Sequence, residues 1–291
     1  MPLRPAALPP LILACLAATW LIWGSTYLAI KMALVSLPPF LQMGSRFVAA
    51  GALLLLWMRW RGAAWPTARQ WGHASVVGAL MLGGGMGGTA VAETSVGSGL
   101  VVAFIAVLPL MIAALNRVYS QRTTRAELAG IVTGLAGVLL LTQGAGFAAS
   151  PAGLVAIVTA CVCWSIGSVL SQRSLPLAPG AMGFASEMLC GGVVLLALAA
   201  LSGEALPSHI APRAAAAWLY LVVAGSLIAF NAYMVLLARA PASLASSYAF
   251  VNPMIAMLLG VGLAGEQISL LEWAAAGVVL LGVLMLLRAR R

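Results

Sequence analysis

The sequence predicts an all-α polytopic membrane protein: ten transmembrane helices arranged as two inverted five-helix repeats. Three observations lead there. Of 291 residues, 63% are hydrophobic and only 7% charged, whereas a soluble domain carries about 25% charge. The apolar residues fall into runs close to the roughly 20 needed to cross hydrocarbon. The arginines gather in alternate gaps between those runs. So little charge cannot cover a solvated surface of this size, which excludes most soluble enzymes and extracellular disulfide scaffolds.

Run 10–33 follows Arg4 in the manner of a signal sequence. It is longer than a signal core and lacks a small-residue cleavage site, so it reads as a retained helix. Run 38–60 opens on Pro38-Pro39, and run 71–92 follows Pro66. Runs 95–116 and 125–143 complete a first half, closed by Gly144 and Gly146. The second half holds 151–172, 178–201, 214–237, 241–264 and 270–288, with Pro176, Pro179, Pro207 and Pro241 in the gaps. Proline and glycine interrupt helices and belong in such connections.

Orientation follows from charge. With the N-terminus in the cytoplasm, ten spans return the C-terminus there, and twelve arginines, from Arg4 and Arg59 to Arg290 and Arg291, fall on that side. Arg213 falls outside with Glu93, Glu204, Glu266 and Glu272. That is a strong positive-inside bias, and it explains the basic pI without nucleic acid. Trp57, Trp60, Trp65 and Trp71 mark the inner boundary, and Trp218, Tyr220 and Trp273 the outer one. The expected arrangement is a multi-pass membrane protein with both termini cytoplasmic.

A weak internal repeat splits the chain into 1–146 and 147–291. Trp23-Gly24-Ser25 is echoed by Trp164 and Gly167-Ser168, Arg46 to Gly51 by Glu187 to Gly192, Pro109 by Pro253, and Glu127-Leu128 by Glu272-Trp273. Five spans per half is an odd number, so the second half enters the membrane from the opposite side. Secondary transporters recurrently hold substrate near the midplane between such halves.

Trp23-Gly24-Ser25-Thr26-Tyr27 through Lys31, then Pro38-Pro39 and Arg46-Phe47, resemble the first two helices of EamA-type proteins of the drug/metabolite transporter superfamily. Ala92-Glu93, Asn231-Ala232-Tyr233, Ser247 to Pro253 and Gly265-Glu266 extend the resemblance over both repeats. It implies a ten-helix bundle with a central cavity, and an exporter similar to bacterial inner-membrane exporters of aromatic amino acids and metabolites. The expected activity is secondary active export of small amphiphilic metabolites by alternating access around a midplane cavity. Amino acids with aromatic or other apolar side chains come first. The alternatives are export of drugs or cationic compounds, a non-coupled channel, or a structural membrane protein.

For the path, Trp20, Trp23 and Tyr27 share one face of the first helix, with Trp23 near the midplane. Trp164, its repeat mate, sits at matching depth, and two central aromatics suit a flat or apolar side chain. Most such aromatics only pack against neighbours. Met86 stands among five glycines at 83–88, which serve either close packing or a thin cavity wall. Pro109 and Pro253 are matched hinge candidates. Asn231, Asn252 and Tyr248 add polar groups near Pro253, although intramembrane amides also act as interhelical glue.

Lys31, Arg46 and Glu187 are the charges within spans, and such residues are functional candidates by default. Lys31 is near enough to the surface to snorkel. Arg46 fits capping of carbonyls or pairing with Glu93 or Glu266 as well as contact with a substrate carboxylate. Glu187 fits pairing with Arg173 or binding of a coupling proton.

Other chemistry finds no residues. Lys31 is the only lysine, so no phosphate loop exists, and aspartate is absent. His73 and His209 are too far apart for a metal site, and Cys15, Cys161, Cys163 and Cys190 lie in apolar runs. No catalytic residue, metal or cofactor is expected, and the partners are a small-molecule substrate and the lipid bilayer. Gly130, Gly134 and Gly137 allow close helix contact within or between chains, but ten spans enclose a pathway as a monomer.

Overall fold

The computed structural model describes residues 8–96, 101, 104–141, 150–264 and 269–289. The expected repeat boundary at 146–147 and Glu266 lie outside them. The described residues form helices without a β-strand: α1 (Pro10–Leu34), α2 (Pro39–Trp60), α3 (Ala68–Ala92), α4 (Leu108–Tyr119) and α5 (Arg125–Leu141), then α6 (Pro151–Arg173), α7 (Ala181–Leu201), α8 (Pro212–Arg239), α9 (Tyr248–Ala264) and α10 (Leu270–Arg288). Six of them, α1, α2, α3, α6, α7 and α8, are long and apolar enough to cross a membrane, and shorter apolar helices accompany them.

Local chemistry sets the helix starts. Pro10, Pro39, Pro151 and Pro212 occupy first turns, where a missing N–H leaves no bond unmade. Thr67 and Gln70 close a reciprocal cap on α3: Gln70 N donates to Thr67 Oγ1 at 3.3 Å, and Thr67 N to Gln70 Oε1 at 2.8 Å. Gly62, at φ +83°, takes the left-handed turn that ends α2.

The expected fourth span is helical at 104–105, turns at 106–107 and resumes as α4. Pro109 therefore stands in the first turn of a helix, where its ring fits, whereas Pro253 lies inside α9. The two prolines are matched in sequence but not in local structure. A feature with no side-chain signature is matched instead. Ala79–Met86 within α3 and Leu221–Phe230 within α8 are π-helical, each in the third helix of its half.

Close packing runs between corresponding helices. A Cβ on Gly44 would lie 2.9 Å from Leu196, one on Gly51 3.0 Å from the Leu189 side chain, and one on Gly192 2.8 Å from Val48, so glycines let α2 and α7 touch along their length. The same holds for α5 and α10, where Gly130 and Gly137 meet Leu286 and Val279 and Gly282 meets Gly134, while Gly134 also meets Phe250 of α9. These glycines are thus spent on contacts within the chain. The remaining major contacts exchange between halves: α1 packs on α8 and α9, and α6 on α3 and α4.

Hydrogen bonds show which connections share an end. Arg173 Nε donates to Asn116 Oδ1 (3.3 Å), Ser174 Oγ to Tyr119 OH (2.9 Å), Gln172 Nε2 to Leu237 O (2.7 Å) and Ser243 Oγ to Glu127 Oε1 (2.7 Å). His73 Nδ1 lies 2.8 Å from Pro176 O, which brings the start of α3 to the same end. At the other end Glu204 accepts from Phe40 N and Leu41 N, Ser36 Oγ accepts from Ala211 N, and Trp218 Nε1 donates to Ser45 Oγ. The arginines of the connections collect at the first end, as the charge pattern predicts.

Candidate functional site

A cavity lies at the centre, between helices of both halves. Its wall begins with Trp23, Thr26 and Tyr27 of α1 and continues through Gly85, Met86 and Thr89 of α3. Helix α6 adds Cys161 and Trp164, and α9 adds Tyr248 and Asn252. No charged side chain of the described residues lines it. Its volume is about 50 Å³, against roughly 150 Å³ for a cavity that admits benzene, so an amino acid with a ring does not fit until the walls part.

The floor toward the arginine-rich end is a cluster of four aromatic rings. Trp23 meets Tyr248 edge to face at 4.8 Å between centroids, Tyr233 at 5.1 Å and Trp164 at 5.7 Å. Tyr233 in turn lies 5.4 Å from both Trp164 and Tyr248. Its hydroxyl is a hub: Trp164 Nε1 donates to it at 3.3 Å and Ser168 Oγ lies 3.0 Å away. Trp23 Nε1 donates to Gly225 O at 3.2 Å. Gly225 lies in the π-helical stretch of α8, where the altered ladder turns carbonyls toward other partners.

Hydroxyls on the wall are held locally, Thr26 Oγ1 by Trp23 O and Thr89 Oγ1 by Gly85 O. With its amide nitrogen turned toward carbonyls, Asn252 donates to Tyr248 O at 3.1 Å and Trp20 O at 3.3 Å. It joins α9 to α1 beside Pro253. The glycines of α3 serve both roles set out for them. Gly84 and Gly88 admit Cys163 and Ala160 of α6 at close contact, and Gly85 forms cavity wall.

Beyond the cluster, α6, α7 and α8 leave a groove of about 690 Å³ at the arginine-rich end, lined by Ser171, Gln172, Phe184, Asn231, Met234 and Arg239. Asn231 therefore belongs to this groove and not to the central cavity, and its amide nitrogen donates back to Leu227 O at 2.8 Å. Trp20 is also displaced from the expected set: its Nε1 donates to Ser247 Oγ at 3.1 Å, and it does not line the cavity. Lys31 is exposed and borders a surface pocket with Arg213.

Arg46 is 1% exposed and stands behind the site. Its Nε donates to Ser226 Oγ at 2.7 Å, Nη1 to Met43 Sδ at 3.5 Å, and its guanidinium lies 4.6 Å from the Phe47 ring centroid. A Cβ on Gly225 would fall 3.0 Å from Nη2, so the guanidinium rests against the residue whose carbonyl holds Trp23. Neither Glu93 nor any other described carboxylate pairs with it. Glu187, its repeat mate, is fully buried and borders neither cavity nor groove.

Residue reasoning left out Tyr233, Ser168 and Gly225. One signal was available for the first, because Tyr233 follows Thr89 at the same interval by which Pro253 follows Pro109. The other two are set by backbone geometry, which sequence does not display.

Comparison with known proteins adds identity of kind. The model of the EamA-like transporter family matches residues 8–143 and again 151–288. The chain is 39% identical over 275 residues, 94% of its length and 90% of the relative's, to the uncharacterized inner membrane transporter YedA of Escherichia coli K12. It is 28% identical over 255 residues, 85% and 84% of the two chains, to protein PecM of Dickeya dadantii. A crystal structure of a protein with 23% identity superposes at a TM-score of 0.77, covering 97% of this chain and 99% of the other.

Proposed function

The chain belongs to the EamA-like transporter family, as a multi-pass inner-membrane transporter built from two family repeats, and we propose that it exports small amphiphilic metabolites by alternating access, amino acids with aromatic side chains first. The carrying observation is the ring cluster of Trp23, Trp164, Tyr233 and Tyr248 between central cavity and groove. In this reading ten spans form two inverted halves, and the arginine-rich end faces the cytoplasm. The groove is the loading side.

Passage requires the cluster to part. Each lost ring contact costs about 0.5–1.5 kcal/mol beyond the area it buries. A substrate that carries its own ring restores those contacts in the occluded state, and one without a ring does not. Selectivity is then a difference in how well each substrate stabilises that state. The uncharged wall suits an apolar side chain, and the carbonyls and amide around Asn252 suit its polar end. The Pro253 and Pro109 segments let α9 and α4 swing, Pro253 by a kink and Pro109 at a helix start.

The test is counterflow of labelled L-phenylalanine in proteoliposomes of the purified chain. Saturable counterflow is expected. Trp164→Ala and Trp23→Ala are each expected to raise the half-saturating concentration, up to roughly tenfold for the loss of one ring contact. Unsaturable flux linear in concentration points to a channel and sinks the reading.

A further inference from the structure

Glu187 and Glu93 are the described carboxyls whose oxygens are buried without a hydrogen-bond partner, and of the two only Glu187 is fully buried. It lies two turns into α7 with 0% of its surface exposed, and neither carboxyl oxygen has a hydrogen-bond partner. Buried polar atoms are nearly always paired, and an ionised carboxylate without donors inside a membrane costs several kcal/mol. The backbone of this turn has no room to shift toward α3. A Cβ on Gly78 would fall 2.6 Å from Glu187 O, and one on Gly191 2.7 Å from Gly78 O, so α3 and α7 touch backbone to backbone at this turn.

The charged and titratable groups on the packed elements are few. Helix α2 carries Arg46, engaged by Ser226 and Met43, with Arg59 and Arg61 near its arginine-rich end. Helix α3 carries Arg69 and His73, the latter bonded at Pro176 O. Its π-helical stretch, Ala79–Met86, carries none. Helix α8 carries Arg213 and Tyr220 toward its start, Arg239 in the groove, and Tyr233, the hub of the ring cluster. None of these forms an ion pair with it.

We propose that Glu187 is the proton-binding site that couples export to the inward proton gradient, a proposal that rests on the transporter reading. A hydrated metal cation needs space and several oxygen ligands; a proton needs neither. When α7 and α8 part toward one side of the membrane, water reaches the carboxylate and gives up one proton to an Oε, forming the O–H bond. When they part toward the other side, that bond breaks and the proton passes to water. One proton crosses inward for each substrate carried outward. Because α3 touches the Glu187 turn at Gly78 and runs on to the cavity wall at Gly85 and Met86, an ionised carboxylate favours the parted, hydrated cluster and a protonated one lets it close. Proton and substrate are thereby coupled through one two-state element.

The experiment compares two fluxes of labelled L-phenylalanine in proteoliposomes of the full chain. The expected result is that Glu187→Gln keeps counterflow, which moves no net proton, within about twofold of wild type. Uphill accumulation driven by an imposed proton gradient is lost. Glu187→Asp restores accumulation with an altered pH profile. Accumulation by Glu187→Gln equal to wild type overturns the proposal, as does wild-type accumulation that ignores the gradient. A second arm needs no substrate. Infrared spectra of purified protein are expected to show a protonated-carboxyl stretch that Glu187→Gln removes. An unchanged spectrum overturns the proposal even where L-phenylalanine is carried. Absence of wild-type counterflow with that stretch present sinks the aromatic substrate and leaves the Glu187 site standing.

Discussion

Arg46 and Glu187, paired by the weak repeat in the sequence, are both fully enclosed, and their surroundings could hardly differ more. Arg46 has a hydroxyl, a thioether and an aromatic face around its guanidinium. Glu187 has no hydrogen-bond partner among the described residues. Neighbours decide what each becomes. The partnered charge holds the wall behind Trp23 in place. The unpartnered one is the residue proposed to hold the coupling proton.

That contrast can be broken by stability measurements. Arg46→Ala removes a charge-assisted hydrogen bond and leaves a large void, and is expected to cost about 3 kcal/mol. Thermal unfolding in detergent reads this as a clear drop in midpoint, together with loss of counterflow because Gly225 and Trp23 lose their support. Glu187→Gln is expected to have the smallest effect, between zero and a gain of about 1 kcal/mol, because it replaces a neutral carboxyl by a neutral amide of the same shape and removes the cost of ionisation. A loss as large as that of Arg46→Ala would mean that Glu187 has a structural partner, and the contrast would collapse.

Much of this arrangement was legible in the residues. Apolar runs made the six long helices legible, and arginine sorting the end at which the basic connections gather, because lipid forces both patterns on any sequence that crosses it. Trp23, Tyr27, Met86, Trp164, Tyr248 and Asn252 do line one cavity. Trp20 did not join them, because a helical face is broad and Ser247 captures its N–H. Asn231 was placed by depth alone, whereas its side turns to the groove. The π-helical stretches in α3 and α8 escaped altogether. A shift in hydrogen-bond register changes which carbonyls are free without changing any apolar period, and Gly225 owes its role to that.

Cys161 offers the most direct test of the central claim that this cavity receives the substrate. It lines the cavity, with its Sγ 3.6 Å from Phe104 O. In a variant lacking Cys15, Cys163 and Cys190, the rate of Cys161 alkylation by a membrane-impermeant maleimide can be followed from each face of the membrane. The account expects L-phenylalanine to slow the reaction in this variant and to lose that protection when Trp164→Ala is added. Labelling that proceeds at the same rate with and without L-phenylalanine would contradict it.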